Sequence, residues 1–186
     1  MVDLENNIQS TPYAIACSPN SELIALASTK GLVEIYDIKG KSVNKYKRTI
    51  DDSKLLFNPS SSSISFLQDD NSFVLWNWED NTTQLFDQHN TIITQLSFSK
   101  DGQNILSASK DNTAKLWTAN GRLICDLDIG NQVVNIAKFD EANQNIILGG
   151  QNGKVIISPT IAQAKIKMED ENLPALSKLQ KEKLGL

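Results

Sequence analysis

Three residues of this sequence have the types found in a hydrolase triad: His89, Ser107 and Asp111. In such a site an imidazole takes the proton of a serine hydroxyl while a carboxylate orients the imidazole. Geometry and role define a triad, so residue type alone decides nothing. Ser107 falls inside a predicted strand, without the Gly-x-Ser-x-Gly elbow or an oxyanion loop. We expect a structural role for these residues and keep a serine hydrolase as a remote alternative.

The stretch around these residues, 89–117, predicts three short strands joined by turns. Apolar and polar residues alternate over 92–98, which is typical of a strand with one buried face. Asp101-Gly102 then indicates a tight turn. Further strands are predicted at 104–109 and 114–117. A sheet this small has two faces to cover and cannot do so alone.

The rest of the chain repeats this pattern with a period of about 40 residues. One position has spacings of 40, 41 and 41 and holds Cys17, Phe57, Phe98 and Phe139. A second has spacings of 40, 41 and 40 and holds Tyr36, Trp76, Trp117 and Ile157. Such a period with four strands per unit is typical of propeller blades, which cover each other's faces by stacking. The sequence therefore predicts an all-β fold.

The stretch 97–117 resembles a WD40 repeat. That family carries a structural hydrogen-bond set of His, Ser, Asp and Trp. Here His89 lies 18 residues before Ser107, Asp111 four after it, and Trp117 six after Asp111. The resemblance implies that these four side chains form the structural set. Neutral imidazole, hydroxyl and indole can satisfy one another as donors and acceptors inside a blade.

The second repeat departs from this pattern. Asp70 lies six residues before Trp76, which is the position of Asp111 in the third repeat. However, Phe66 stands where Ser107 would be. We therefore expect the hydrogen-bond set to be broken in the second repeat.

The resemblance implies a WD40-type β-propeller with four blade-like, four-stranded antiparallel sheets. We expect an N-terminal arm, four repeats within residues 12–168, and a C-terminal tail with a short helix. Their predicted bounds are 1–11 for the arm, 12–47, 53–87, 89–127 and 131–168 for the repeats, and 169–186 for the tail.

Four repeats are fewer than the usual WD40 ring of about seven blades. The chain could be an open arc, pair with a second copy, complete a partner's propeller, or be a fragment. The arm could complete the last blade, and the outer strand of that blade is predicted at 161–168. The tail helix either packs on the propeller or docks into a partner's groove.

Composition limits the function classes. The chain has 186 residues, 18 basic and 22 acidic side chains and a net charge of −4, which favours neither nucleic acid nor an anionic membrane. One histidine and two cysteines make no metal cluster, and no cofactor is expected. Cys17 takes the place of a Phe and is expected to be a small buried side chain. The polar N-terminus predicts a cytoplasmic protein.

The resemblance implies a non-catalytic scaffold that binds a protein or peptide. The alternative is a structural half-propeller that completes a homo- or hetero-oligomeric propeller. Family propellers present the turns before their first strands and between their second and third strands. The corresponding candidate partner rim comprises Lys30, Asp69, Asn90, Lys110 and Gln151.

Overall fold

The computed structural model describes residues 11–47, 54–69 and 71–160. These residues form fifteen strands in four antiparallel sheets and no helix, so the all-β prediction is confirmed. No helix among them is long and apolar enough to cross a membrane. Four predicted features lie outside the described residues: residues 1–10 of the arm, Asp70, the outer strand at 161–168, and the helix within 169–186.

The chain divides into two compact units, and the first comprises residues 1–93 and 119–121. It contains two sheets whose strands pair in chain order. The first sheet has strands β1 (Pro12–Cys17), β2 (Leu23–Ser28), β3 (Leu32–Asp37) and β4 (Ser42–Lys47). The second sheet has strands β5 (Leu55–Phe57), β6 (Ser63–Asp69), β7 (Ser72–Asn77) and β8 (Thr83–Phe86).

The second unit comprises residues 94–118 and 122–186. Except for the first residue of β9, its described part holds the third and fourth sheets. The third sheet has strands β9 (Ile93–Phe98), β10 (Asn104–Ser109), β11 (Thr113–Thr118) and β12 (Leu123–Asp128). The fourth sheet has strands β13 (Val134–Phe139), β14 (Asn145–Gly150) and β15 (Val155–Pro159), so three of its four predicted strands are described.

The two faces of each sheet carry different parts of the repeat, because side chains alternate along a strand. In the first sheet, face A carries Leu23, Ala25, Val33 and Ile35, and face B carries Ile24, Leu26 and Tyr36. In the other sheets, residues at the equivalent paired positions of the repeat are assigned to the same face, A or B.

Face A of one sheet packs on face B of the next sheet within each unit. In the first unit, face A of the first sheet joins a core cluster with residues of the second sheet: Phe57, Ile64, Phe66, Val74 and Trp76. In the second unit, face A of the third sheet joins Ala137, Ile146 and Leu148 of the fourth sheet. The repeat therefore positions its apolar residues for sheet-on-sheet packing.

The turn after each first strand has the same construction in all four sheets. The residue that follows the strand accepts a side-chain hydrogen bond from the backbone N–H five residues later. Ser99 shows the pattern: its Oγ accepts from Asn104 N at 2.9 Å and donates to Asp101 Oδ1 at 2.6 Å. The equivalent acceptors are Ser18, Asn58 and Asp140, at 2.9, 3.0 and 3.1 Å from the nitrogens of Leu23, Ser63 and Asn145.

The third residue after each of these acceptors has a positive φ, which lets the chain reverse within the turn. The values are 61° at Ser21, 63° at Ser61, 70° at Gly102 and 58° at Asn143. Short polar residues and glycine tolerate this conformation best. The repeated turn thus combines a side-chain acceptor with a left-handed residue at a fixed offset.

Two sequence predictions are wrong in detail. Ile146 pairs with Ser158, whereas the equivalent Ile105 pairs with Trp117, so Ser158 and not Ile157 holds the Trp117 position. The alternation of β15 therefore turns Ile157 to the opposite face.

The second correction concerns Cys17, which is exposed rather than buried. Cys17 pairs with Ile24 and lies on face B of the first sheet. The equivalent Phe57 is only 5% exposed, because it packs against face A of the preceding sheet.

The repeated turn makes a testable contribution to stability. Ser99→Ala removes a fully buried hydroxyl that accepts one hydrogen bond and donates another. We expect the free energy of unfolding to fall by about 1–3 kcal/mol, measured by urea denaturation. The exposed Ser42 provides the control, and Ser42→Ala should change stability by less than about 0.5 kcal/mol. Equal losses in both variants would show that the turn hydrogen bonds contribute nothing.

Candidate functional site

Ser107 and Trp117 lie on adjacent strands of the third sheet and form a buried hydrogen bond. The indole Nε1 of Trp117 donates to the Oγ of Ser107 at 2.8 Å. Ser107 is 0% exposed and Trp117 1% exposed. Both side chains project from face B, since Trp117 pairs with Ile105 two residues before Ser107. The structure thus brings two members of the predicted set together.

Asp111 shapes the turn between β10 and β11. Its Oδ1 accepts from the backbone nitrogen of Thr113 at 3.0 Å and from the Thr113 hydroxyl at 2.6 Å. Its own backbone nitrogen donates to Ser109 Oγ at 3.1 Å. The next residue, Asn112, has a φ of 70°. These bonds hold the chain reversal that connects the two central strands of the sheet.

His89 lies between β8 and β9 and is buried, with 2% exposure. Its backbone carbonyl accepts a hydrogen bond from Asn71 Nδ2 at 3.1 Å. A buried imidazole must have its polar atoms satisfied to be tolerated. The place of His89 in the four-residue set stays a prediction.

The second sheet shows what happens when the serine of this set is absent. Phe66 takes the position of Ser107, and both Phe66 and Trp76 are fully buried. Among the described residues, Trp76 Nε1 finds no hydrogen-bond partner. This agrees with the expectation of a broken set in the second repeat. Apolar packing against Tyr46, with ring centroids 5.4 Å apart, holds Trp76 instead.

The residues predicted as a partner rim lie on turns or at strand ends. Lys30, Lys110 and Gln151 are exposed on the turns between the second and third strands of their sheets. Asn90 is exposed in the segment before β9, and Asp69 is the last residue of β6. In an antiparallel sheet the turn between the second and third strands lies at the end where the first strand begins. Within each sheet, these residues therefore belong to one end.

The repeated turns at the opposite sheet ends contain carboxylates with lowered pKa values. The hydroxyl of Ser99 donates to Asp101 and holds the pKa of that carboxyl below its ordinary value. For Asp140 the main cause is the backbone N–H of Asn145, and the Asn145 amide, 2.7 Å from Oδ2, adds to it. Donors to the ionised form favour it over the neutral acid. These carboxylates act as turn acceptors and give no sign of acid–base chemistry.

Sequence reasoning missed the acceptors Ser18, Asn58, Ser99 and Asp140, although their spacings of 40, 41 and 41 carry the same period as the apolar positions. They have no common residue type, so the signal lies in their shared capacity to accept a hydrogen bond. Sequence reasoning also missed the ion pair between Lys115 Nζ and Asp126 Oδ1 at 2.6 Å. These two residues face each other on β11 and β12.

Metal chemistry finds no support in the part of the chain that the structure describes, since no three His, Cys, Asp or Glu side chains are grouped there to hold an ion. The lone histidine and the two cysteines contribute to no such group within these residues.

Repeated antiparallel sheets, packed face A on face B within each unit, define an all-β protein and fit the blades of a β-propeller. Comparison with family models adds a specific match: residues 80–118 match the WD40 model, described as WD domain, G-beta repeat. The chain therefore contains a WD40 repeat, consistent with a WD40-repeat family and with a propeller. The match spans β8 to β11 and includes Ser107, Asp111 and Trp117. A comparison with curated proteins gave no significant match.

The two buried tryptophans provide a matched test of the Trp117–Ser107 hydrogen bond. Trp117→Phe removes the donor and leaves the Ser107 hydroxyl without it, whereas Trp76→Phe removes an N–H that has no partner among the described residues. We expect Trp117→Phe to cost about 1–3 kcal/mol more unfolding free energy than Trp76→Phe, measured by urea denaturation.

A double-mutant cycle with Ser107→Ala isolates this bond from the packing loss. The Trp117→Phe and Ser107→Ala effects should be less than additive, because either change alone breaks the same bond. Strict additivity would show that the two side chains are not coupled.

The lowered pKa of Asp140 makes a pH-dependent prediction. A carboxyl whose pKa is lower in the folded than in the unfolded state stabilises the fold above its unfolded pKa. This contribution is lost as the pH falls through the folded pKa. Asn145→Ala removes the amide donor to Oδ2, so the Asp140 pKa should rise toward its ordinary value in an NMR titration of the carboxyl carbon.

The control for this titration is Gln144→Ala, which keeps the backbone N–H that donates to Asp140 Oδ1 at 2.7 Å. Its Asp140 pKa should stay low. An unchanged pKa in Asn145→Ala would contradict the assigned role of the amide.

Proposed function

We propose that this protein is a non-catalytic scaffold that binds a protein or peptide through turns at one end of its sheets. The observation that carries the proposal is the WD40 match over residues 80–118, since WD40 domains generally mediate protein–protein interactions. The exposed side chains of Lys30, Asn90, Lys110 and Gln151 supply charged and amide groups at the proposed sheet ends.

The separation of roles within each sheet supports this proposal. Packing residues such as Val33 and Leu116 are buried on the sheet faces, and the repeated turns at the opposite end are held by their own hydrogen bonds. Lys30, Lys110 and Gln151 are exposed on turns and take no part in the core clusters. Substitutions there can change binding without changing the fold.

A non-catalytic role also fits the environment of Ser107. A nucleophilic serine needs an accessible Oγ, a base that takes its proton and donors for the oxyanion. Ser107 Oγ is buried within β10 and accepts the indole N–H of Trp117. We expect no labelling of Ser107 by a serine-directed fluorophosphonate in the folded protein.

A structural half-propeller that completes a homo- or hetero-oligomeric propeller is the second candidate function. The observation that favours it is the exposure of apolar strand residues on the fourth sheet, where Val155 is 63% and Ile157 67% exposed. This candidate places the contacts on sheet faces rather than on turns.

Alanine substitutions test the proposed rim in each unit separately. One variant combines Lys30→Ala with Asn90→Ala, and another combines Lys110→Ala with Gln151→Ala. The wild type is first cross-linked in extract of cells that express it, and the proteins attached to it are identified by mass spectrometry. Each purified partner is then titrated with the wild type and with the variants. We expect the dissociation constant to rise about tenfold or more in at least one variant, with unchanged thermal unfolding.

The matched control for these variants carries Lys39→Ala and Lys100→Ala, which change exposed lysines in turns at the opposite ends of their sheets. This control should bind as the wild type does. Full binding by both rim variants would overturn the assignment of the rim.

A further inference from the structure

Two apolar side chains of the fourth sheet are exposed at positions that are buried elsewhere. Val155 pairs with Gly149 and Ile157 pairs with Ile147, which places both on face A. The equivalent residues of the first sheet are Val33 and Ile35, both 0% exposed and packed against the second sheet. The third sheet agrees, with Ala114 at 0% and Leu116 at 3%. Face A of the fourth sheet therefore carries, among the described residues, exposed apolar side chains at positions used for sheet packing elsewhere.

The first sheet shows the complementary feature on face B. Ile15 is 67% exposed and Cys17 is exposed, and both lie on β1. The equivalent residues of the second sheet, Leu55 and Phe57, pack in the core cluster shared with the preceding sheet. The equivalents in the fourth sheet, Ala137 and Phe139, are likewise packed.

The exposed part of face B of the first sheet is centred on β1. On the neighbouring strands of the same face, Leu26 is 4% and Tyr36 1% exposed. Within each unit the first strand of a sheet lies against the sheet before it: β5 contacts β1 and β2, and β13 contacts β10 and β11. The exposed strand β1 is thus the equivalent of β5 and β13, which make the contact with the preceding sheet.

We propose that face A of the fourth sheet binds face B of the first sheet in a second copy of this chain, with β1 of the copy lying against β14 and β15. The contact would repeat the A-on-B packing seen within each unit, where strand residues of one sheet cover the next. Because the two surfaces differ, the contact is heterologous, and two copies can close on each other through two identical contacts.

Side-chain size supports this pairing. Gly149 on face A of the fourth sheet stands where the first and third sheets have Ala27 and Ala108. An added Cβ there would approach the Cβ of Ile136 to 3.4 Å. Because Gly149 carries no side chain of its own, an apolar side chain such as Ile15 of the copy can approach the backbone closely beside Val155 and Ile136.

The proposal rests on the second candidate function and deepens it by naming the partner. Two copies carry twice the four sheets of one chain, at the upper end of the roughly four to eight blades of known propellers. A scaffold that binds through its turns alone does not require this contact. The pairing of two copies and the binding of a partner at the turns can therefore fail separately.

Light scattering after size exclusion on the full chain gives the first measurement. We expect a particle of about twice 20.6 kDa at micromolar concentration. Ile157→Lys and Ile15→Lys each place a charge on one of the two proposed surfaces at a side chain that is 67% exposed in the single chain. Each variant alone should raise the dissociation constant of the pair at least tenfold and give a particle of about 20.6 kDa.

Mixing the two variants provides the decisive measurement. In a mixture, the intact first sheet of Ile157→Lys meets the intact fourth sheet of Ile15→Lys, which allows one wild-type contact. Particles of about twice the chain mass should therefore reappear in the mixture although neither variant forms them alone. Circular dichroism of each variant establishes that the fold is retained.

The control is Leu85→Lys, which charges a strand residue that is 47% exposed in the second sheet and outside the proposed surfaces. It should pair as the wild type does. A wild type of about 20.6 kDa at every concentration, a pair that is unaffected by Ile15→Lys, or a mixture without recovery would each overturn the proposal. The partner protein identified by cross-linking is also titrated against Ile15→Lys and Ile157→Lys. Unchanged binding of that partner distinguishes a failure of pairing between copies from a failure of binding at the turns.

Discussion

The structure depends on one constraint: a small antiparallel sheet has two apolar faces, and each must be covered by another sheet. The chain meets this constraint with a fixed polarity, since face A of one sheet packs on face B of the next within each unit. Side chains on face A of the first and third sheets include alanines such as Ala25 and Ala108, and those opposite are larger, such as Phe66 and Leu148. Small against large residues allow sheets to approach closely without voids.

The same constraint explains which parts of the fold the sequence predicts. Strand β10 was expected at the bounds that the structure shows, because turn residues delimit it on both sides. The three-residue β5 was foreseen only at Phe57, since so short a run carries no alternation. The misplacement of Ile157 has a physical cause as well: a count of residues from strand to strand cannot detect a one-residue shift in pairing, and such a shift reverses the face.

The candidate site was predictable to a lesser degree. The spacing of Ser107 and Trp117 places them on adjacent strands, and the buried hydrogen bond between them follows. Residue type gives no such guidance for the turn acceptors, since Ser99 and Asp140 perform one role with different groups. Exposure of Cys17 could not be read from its own repeat, because it depends on whether another sheet covers face B.

The comparison of the second and third sheets indicates what the Trp117–Ser107 hydrogen bond contributes. Trp76 is as deeply buried as Trp117, yet its indole nitrogen has no partner among the described residues. Packing alone therefore suffices to place a tryptophan at this position, and the desolvated N–H is tolerated at a cost of about 1–3 kcal/mol. Where Ser107 is present, the bond adds direction to that packing and fixes one ring orientation. Apolar burial therefore holds the sheets together, and the Trp117–Ser107 hydrogen bond adds orientation to one of them.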